Sequence, residues 1–242
     1  LKGMGGYALV RTRGDQRQPK GNLPNRILHT RVADAVVATN SVMARHFAEK
    51  MRVPAERLHM ILGGVDTERF RFDSEGRMEV RARYGFTNDE CVVGLLGRFD
   101  LVKGQRETIA ALAKLVGEGV RNIRLMLLGF STATLQEEVE AWIREAGMER
   151  YVTITGKVPD VTACLSALDV GVVASLWSET IARAALEIMA CGRPLVSTSV
   201  GVMPDLLPAS ALVAPGDVDA LAGVLRRAAT DEAWRQDLAG HC

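Results

Sequence analysis

Long apolar runs are missing from this 242-residue chain. None approaches the ~20 apolar residues that a helix needs to cross a bilayer, and the opening LKGMGGYALVRTRGD lacks the form of a secretory leader. A surplus of either charge is missing too. Lysine and arginine total 30 against 29 aspartates and glutamates, a net charge of +1 that gives no support for a nucleic-acid or anionic-membrane partner. Cysteine is scarce: Cys91, Cys164, Cys191 and Cys242 stand far apart without ligand-like spacing and read as reduced thiols of a cytoplasmic protein. The four histidines, His29, His46, His59 and His241, show no metal spacing. No GxxxxGK[ST] loop is present, nor a GxGxxG after a strand, which argues against a Walker-type site and a nicotinamide or flavin dehydrogenase. No internal repeat or low-complexity tract is visible. What remains, 48% hydrophobic and 24% charged residues, is the composition of a soluble globular protein of one or two domains with a sizeable core.

From residue 91 onward, strand-like and helix-like segments alternate. CVVGLLGRF (91–99) and IRLMLLGF (123–130) are continuous apolar runs, as expected of strands covered on both faces, with Leu125, Met126 and Leu127 in the core. Between them, Ile109, Leu112 and Leu115–Val116 form one helical stripe ended by Gly117. A helix at 133–146, a strand in YVTITGKV, a short helix near 160–168, a strand in DVGVVAS, a helix from 178, a strand in PLVSTSV and a helix from Asp217 complete the pattern. Such alternation implies a doubly wound parallel sheet with right-handed crossovers, whose ligands sit beyond the carboxyl ends of the strands. Before residue 72 the pattern differs. RTRGDQRQPKGNLPN reads as a polar, basic loop. RVADAVVATNSVMARHFAEKM reads as a strand and an amphipathic helix, and LHMILGGVDTERF as a strand and turn. FDSEGRMEVRARYGFTNDE reads as a linker and helix. A domain boundary is expected near residue 72, and a first residue of Leu points to part of a longer chain.

Two segments can carry chemistry. In GLLGRFDLVKG (94–104) a buried strand ends at Gly97, and a loop presents Arg98 and Lys103 before a helix starting near Gly104. Two cations beside a helix N-terminus favour a phosphate or diphosphate, although both also read as solvated loop charges. SETIARAALEIMACGRPLV then carries Glu179 and Glu187 in an otherwise apolar and small-residue stretch. With Ser178 as helix N-cap, Glu179 falls in the first turn, where the dipole favours a carboxylate. Glu187, between Leu186 and Ile188, needs donors if desolvated, and ligand hydroxyls can supply them. On one helix the two would lie roughly 80° apart and ~12 Å along the axis, too far to share a proton. If both act, they touch different parts of one elongated ligand.

These pieces in this order resemble the retaining GT-B glycosyltransferases, nucleotide-sugar-dependent enzymes with two facing Rossmann-like domains. The matching residues are ADAVVATN (33–40), GVDTERF (64–70), GRFDLVKG (97–104), the Glu179–Glu187 pair and EIMACGRPLVSTSVG (187–201). The resemblance implies an α/β, doubly wound parallel sheet. Residues 1–72 would be a remnant of an N-terminal acceptor-side domain plus linker, and 73–242 a complete or nearly complete C-terminal nucleotide-sugar-binding domain, with its crossing-back helix cut short near Cys242. It implies that Arg98 and Lys103 hold the donor diphosphate, that Glu187 binds ribose hydroxyls and that Glu179 approaches the donor sugar. Gly97, Ile181 and Ala182 fall among the donor-contacting positions. Arg98, Lys103 and Glu179 would be the catalytic set, with no metal and no cofactor besides the donor substrate. Retention would follow from front-face attack, the leaving phosphate taking the acceptor proton. The implied activity is hexosyl- or heptosyl-type transfer to a glycan or lipid-linked acceptor in cell-surface polysaccharide or lipopolysaccharide assembly. Its implied setting is the cytoplasm at the inner membrane face, with peripheral association through the absent N-terminal part. The basic loop around Arg11, Arg13 and Arg17 would suit an anionic acceptor. Donor binding without transfer is expected of these 242 residues alone. A GT-B-fold sugar-nucleotide epimerase and a non-catalytic nucleotide-sugar-binding module are the alternatives. One departure stands out: Glu-Gly-Phe-Gly in many relatives is Glu179-Thr180-Ile181-Ala182 here.

Overall fold

The computed structural model describes residues 6–15 and 17–241, so the readings that concern Cys242 and the first residues of the opening segment lie outside the described residues. The chain opens with strand β1 (Val10–Arg13), helix α1 (Leu23–Ile27, continuing as a wider turn over Leu28–Val32), strand β2 (Ala35–Ala38), helix α2 (Ser41–Glu49) and strand β3 (Leu58–Met60). The three strands form a parallel sheet in the order β1-β2-β3. Val36 and Ala38 are fully buried and pack with Met43, Phe47, Met51 and Val53 into a small core. Asn40 starts α2, its Oδ1 accepting from the Met43 N–H at 2.8 Å. The stretch expected to be loop is partly strand: Val10–Arg13 pairs residue for residue with Ala35–Ala38. An edge strand is held by backbone hydrogen bonds to its neighbour, so the polar side chains of β1 hide it from a pattern search.

The second, larger sheet is built from alternating elements. Helix α3 (Ser74–Tyr84) is capped by Asp73, whose Oδ1 accepts from the Glu75 and Gly76 N–H groups, and ends at Gly85, at a φ of +70°. There follow β4 (Cys91–Leu96), α4 (Gln105–Gly117), β5 (Ile123–Leu128), α5 (Gln136–Glu145), β6 (Val152–Ile154), α6 (Val161–Ser166), β7 (Val170–Val173), α7 (Arg183–Ala190) and β8 (Leu195–Thr198). Then come α8 (Met203–Leu206), β9 (Leu212–Val213), α9 (Val218–Thr230) and α10 (Glu232–Gly240). All six strands are parallel, in the order β6-β5-β4-β7-β8-β9. Ile109, Leu112, Leu115, Leu125, Leu127, Leu165 and Leu168 are essentially fully buried, each contributing ~1.5–3 kcal/mol. Phe70 already belongs to this core, with Leu62 and Val65 packed against it.

Asp169, just before β7, is a polar hub. It accepts from Arg77 at 2.7 Å, Arg81 at 3.0 Å and the Val92 N–H at 2.8 Å. Burial works to raise its pKa. The Val92 N–H and the two guanidinium groups outweigh that and hold it below the ordinary carboxylate range. Arg81, itself 5% exposed, also donates to the carbonyls of Ala167, Thr87 and Glu90. The charges of α3 thus anchor this helix to the amino ends of β4 and β7.

Candidate functional site

The strand order reverses between β4 and β7. From there the β4–α4 loop turns to one side and the β7–α7 loop to the other, leaving a crevice at the carboxyl ends of the two strands. A cleft of about 640 Å³ lies there, lined among others by Gly97, Arg98, Lys103, Glu179, Ile181, Ala182 and Glu187. Every residue that the sequence nominated for the donor therefore faces one space.

The two loops are tied together by backbone. The Leu176 N–H donates to the Val102 carbonyl at 2.8 Å. Gly104, at a φ of +71°, lets the start of α4 press against Ala174, whose carbonyl oxygen would lie 2.0 Å from any Cβ at residue 104. Gln105, 2% exposed, donates to the Arg98 carbonyl at 2.9 Å. A short 3₁₀ turn, Leu101–Lys103, precedes α4 and is capped by Asp100, which also forms an ion pair with Arg98 at 3.0 Å. Arg98 is exposed, whereas Lys103 is turned inward: its Nζ donates to Glu179 Oε1 at 2.5 Å. The same oxygen accepts from Ser175 Oγ at 2.5 Å, and Glu179 is 7% exposed.

The position of Glu179 differs from expectation. Ser178 is not an N-cap and Glu179 is not in a helical turn, because α7 begins only at Arg183. Ala182 occupies the left-handed region, φ +53° and ψ +49°, a conformation costly to a residue with a Cβ, and there the chain turns into the helix. Residues 178–181 are thereby free of helical hydrogen bonding and cross the crevice. The Glu179 carbonyl accepts from the Val202 N–H at 2.8 Å, and Gly201, φ +58°, permits this approach, since a Cβ there would sit 1.7 Å from that oxygen. The angular spacing computed for one helix no longer applies.

Glu187 does lie on α7, half-buried among apolar neighbours. Burial pushes its pKa up, opposed by Arg183 and Arg69. Both arginines line the cleft, as do Phe130 and Ser178; of the four, the sequence had marked only Ser178, and that as a helix cap. Arg183 lies between the two glutamates in sequence, Arg69 falls in the GVDTERF turn, and Phe130 ends the apolar run IRLMLLGF. An adjoining apolar hollow of about 270 Å³ runs along Leu96, Leu128, Phe130, Gly156, Lys157 and Val161. Burial raises the thiols of Cys164 and Cys191 to about 11 and that of Cys91 to about 12, so these three free cysteines are poor nucleophiles near neutral pH. Among the described residues, no group of three or more His, Cys, Asp or Glu side chains could hold a metal ion, and no helix is long and apolar enough to cross a membrane.

A parallel sheet with its cleft at this switch point, framed by a GRFDLVKG loop and a two-glutamate segment, defines a Rossmann-like domain of GT-B type. The chain belongs to the family described as glycosyl transferases group 1, which residues 90–231 match. It is 26% identical over 230 residues to the D-inositol 3-phosphate glycosyltransferase of Segniliparus rotundus, covering 93% of this chain and 48% of that protein. It is 28% identical over 198 residues to the MMP alpha-(1->4)-mannosyltransferase of Mycolicibacterium hassiacum, covering 79% and 42%. The chain thus spans about half the length of the curated relatives it matches. In fold it is similar to Anabaena Alr3699/HepE, solved in complex with UDP and glucose, with a TM-score of 0.80, 23% identity and coverage of 97% and 65%. It is also similar to WaaG, a glycosyltransferase involved in lipopolysaccharide biosynthesis, with a TM-score of 0.71, 20% identity and coverage of 85% and 56%.

Proposed function

We propose that this chain is the donor-binding part of a retaining glycosyltransferase that moves a sugar from a nucleoside-diphosphate sugar to a glycan or lipid-linked acceptor. One observation carries the reading: two cations, two carboxylates and an apolar hollow converge on a single elongated cleft at the switch point. In this reading, residues 73–242 are the donor domain and residues 1–72 belong with the acceptor side. The base lies along the apolar hollow and the ribose hydroxyls donate to Glu187. The diphosphate spans Arg98 and Lys103, near the α7 N-terminus, which has no side-chain cap. The sugar reaches Glu179 beside Thr180 and Ile181. A UDP complex and a UDP–glucose complex of the Anabaena protein support a donor of this class.

The chemistry asked of the residues is electrostatic. As the sugar–phosphate bond breaks, negative charge grows on the leaving phosphate, and Arg98 and Lys103 are placed to stabilise it without a metal. Glu179 is already engaged by Lys103 and Ser175, which fits a role in positioning rather than nucleophilic attack. Retention then follows from attack on the face the phosphate leaves, with that phosphate taking the acceptor proton. Transfer to cell-surface glycans at the cytoplasmic side of a membrane is part of the same proposal.

Calorimetry on the glutamates tests it. Glu187→Ala should weaken binding of free nucleoside diphosphate by about 1.5–3 kcal/mol, as for hydrogen bonds to a charged group. Glu179→Ala should spare free nucleotide and impair intact nucleotide sugar. These 242 residues, about half the length of the curated relatives they match, should by themselves show no transfer from donor to acceptor, since transfer needs an acceptor held in place and water excluded. Equal losses for both ligands in both variants, or robust transfer by the short chain, would show that the site is misread.

A further inference from the structure

The cations around this cleft are not equivalent. Lys103 is matched by Glu179, and Arg98 by Asp100. Two further arginines of the lining, Arg69 and Arg183, act on the single carboxylate of Glu187. Arg69 stacks on Phe70, its guanidinium carbon 4.9 Å from the ring centre. Among the described residues Arg183 forms no hydrogen bond or ion pair, and it acts on Glu187 at longer range.

Its place in the chain sharpens the question. Arg183 is the first residue of α7, at the positive end of the helix dipole, where a cation is unfavourable. That first turn contains no acidic residue and receives no side-chain cap. Pairing with Glu187 one turn later offers little, since a cation placed N-terminal to its carboxylate is the weaker orientation. Helical side chains lean toward the N-terminus, which for residue 183 means over the cleft it lines. An arginine held there is offset only when an anion arrives.

We propose that Arg183 is a third diphosphate-binding cation, gripping the phosphates from the α7 side while Arg98 and Lys103 hold them from the β4 side. The proposal rests on the donor-binding reading above and adds a residue that this reading does not need. Arg183 thereby makes the cleft select a nucleoside diphosphate over the bare nucleoside, which the base and ribose contacts alone would accept.

The test titrates the 242-residue chain and its Arg183→Leu and Arg183→Lys variants with UDP, GDP and ADP and with the matching nucleosides. For the diphosphate that the unaltered chain binds best, Arg183→Leu should lower affinity by about tenfold or more, while its nucleoside changes by less than about twofold. Arg183→Lys should restore part of the loss, and raised salt should shrink the gap between the two variants. The ligand-free melting temperature of Arg183→Leu should not fall, because a cation has left the positive end of a helix. Diphosphate affinity unchanged in Arg183→Leu overturns the proposal. So does an equal loss for nucleoside and diphosphate, which would assign Arg183 to Glu187 and the ribose. Failure of the unaltered chain to bind any diphosphate overturns the donor-binding reading itself, and this inference with it.

Discussion

Replacing Lys103 by methionine should cost the chain about 2–3 kcal/mol of stability with no ligand present, a large effect for a loop lysine. The reasoning starts from Glu179, which is 7% exposed and whose Oε1 has Lys103 Nζ and Ser175 Oγ as partners, each at 2.5 Å. Removing one member of a buried ion pair costs roughly 3–5 kcal/mol, because the other charge stays desolvated. The Lys103 side chain keeps 25% of its exposure, so water recovers part of that loss, which gives the lower range. Urea unfolding followed by circular dichroism would read it as a midpoint lowered by about 1 M, for a slope of ~2 kcal/mol per molar. Arg98→Met is the matched control. Its side chain is 57% exposed and its pairing with Asp100 is a surface contact, so a change within ~0.5 kcal/mol is expected. The double variant Lys103→Met/Glu179→Gln should lose less than the two single variants added together, with a coupling of ~1–3 kcal/mol. A Lys103→Met midpoint equal to that of the unaltered chain, or single effects that simply add, would mean that the pair does not hold in solution.

Two further outcomes follow from backbone and burial. Ala182→Gly should change stability by less than about 1 kcal/mol, since relief of the left-handed conformation at φ +53° is offset by glycine's ordering and by loss of a buried methyl; a thermal midpoint lowered as for an ordinary core truncation would contradict this. Asp169→Asn should lower stability by about 3–5 kcal/mol, leaving Arg77 and Arg81 without their carboxylate. The pH dependence has a definite sign: a depressed carboxylate pKa contributes fully above the ordinary range near 4 and is lost as the pH falls through the folded value. The stability gap between the unaltered chain and Asp169→Asn should therefore narrow on acidification below about pH 4, and a gap that widens there would refute the assignment.

The larger sheet was legible because its strands are buried on both faces and so carry unbroken apolar runs, as Cys91–Leu96 and Ile123–Leu128 do. The β4–α4 loop with its two cations was legible because Gly97, Arg98 and Lys103 follow directly on such a strand. Other features depend on what the chain meets only after folding. β1 takes its order from the backbone of β2, which leaves no trace in RTRG. The late start of α7 turns on one alanine with a positive φ, and nothing in the letter Ala signals that angle, while Ser178 offered a plausible cap four residues earlier. The hub at Asp169 joins it to arginines more than 80 positions away, so nothing local to α3 announces its partner. Glu187 was found because Leu186 and Ile188 flank it, whereas Arg69 and Arg183 reach the cleft from segments with no comparable pattern.

The backbone ties between the two cleft loops bear on how such a site can diverge. Val102 and Leu176 are joined through main-chain atoms, Gly104 rests on the Ala174 carbonyl, and Gly201 rests on that of Glu179. None of these contacts asks anything of the side chains at Trp177, Thr180 or Ile181, two of which, Trp177 and Ile181, stand well exposed at 56% and 40%. The backbone ties thus leave Trp177 and Thr180 open to change, whereas Ile181 packs on Gly63, where any Cβ would lie 2.5 Å from its Cγ2. Substitutions at Trp177 and Thr180 can accumulate in a lineage without disturbing the backbone frame of the cleft, whereas a change at Gly104 or Gly201 cannot.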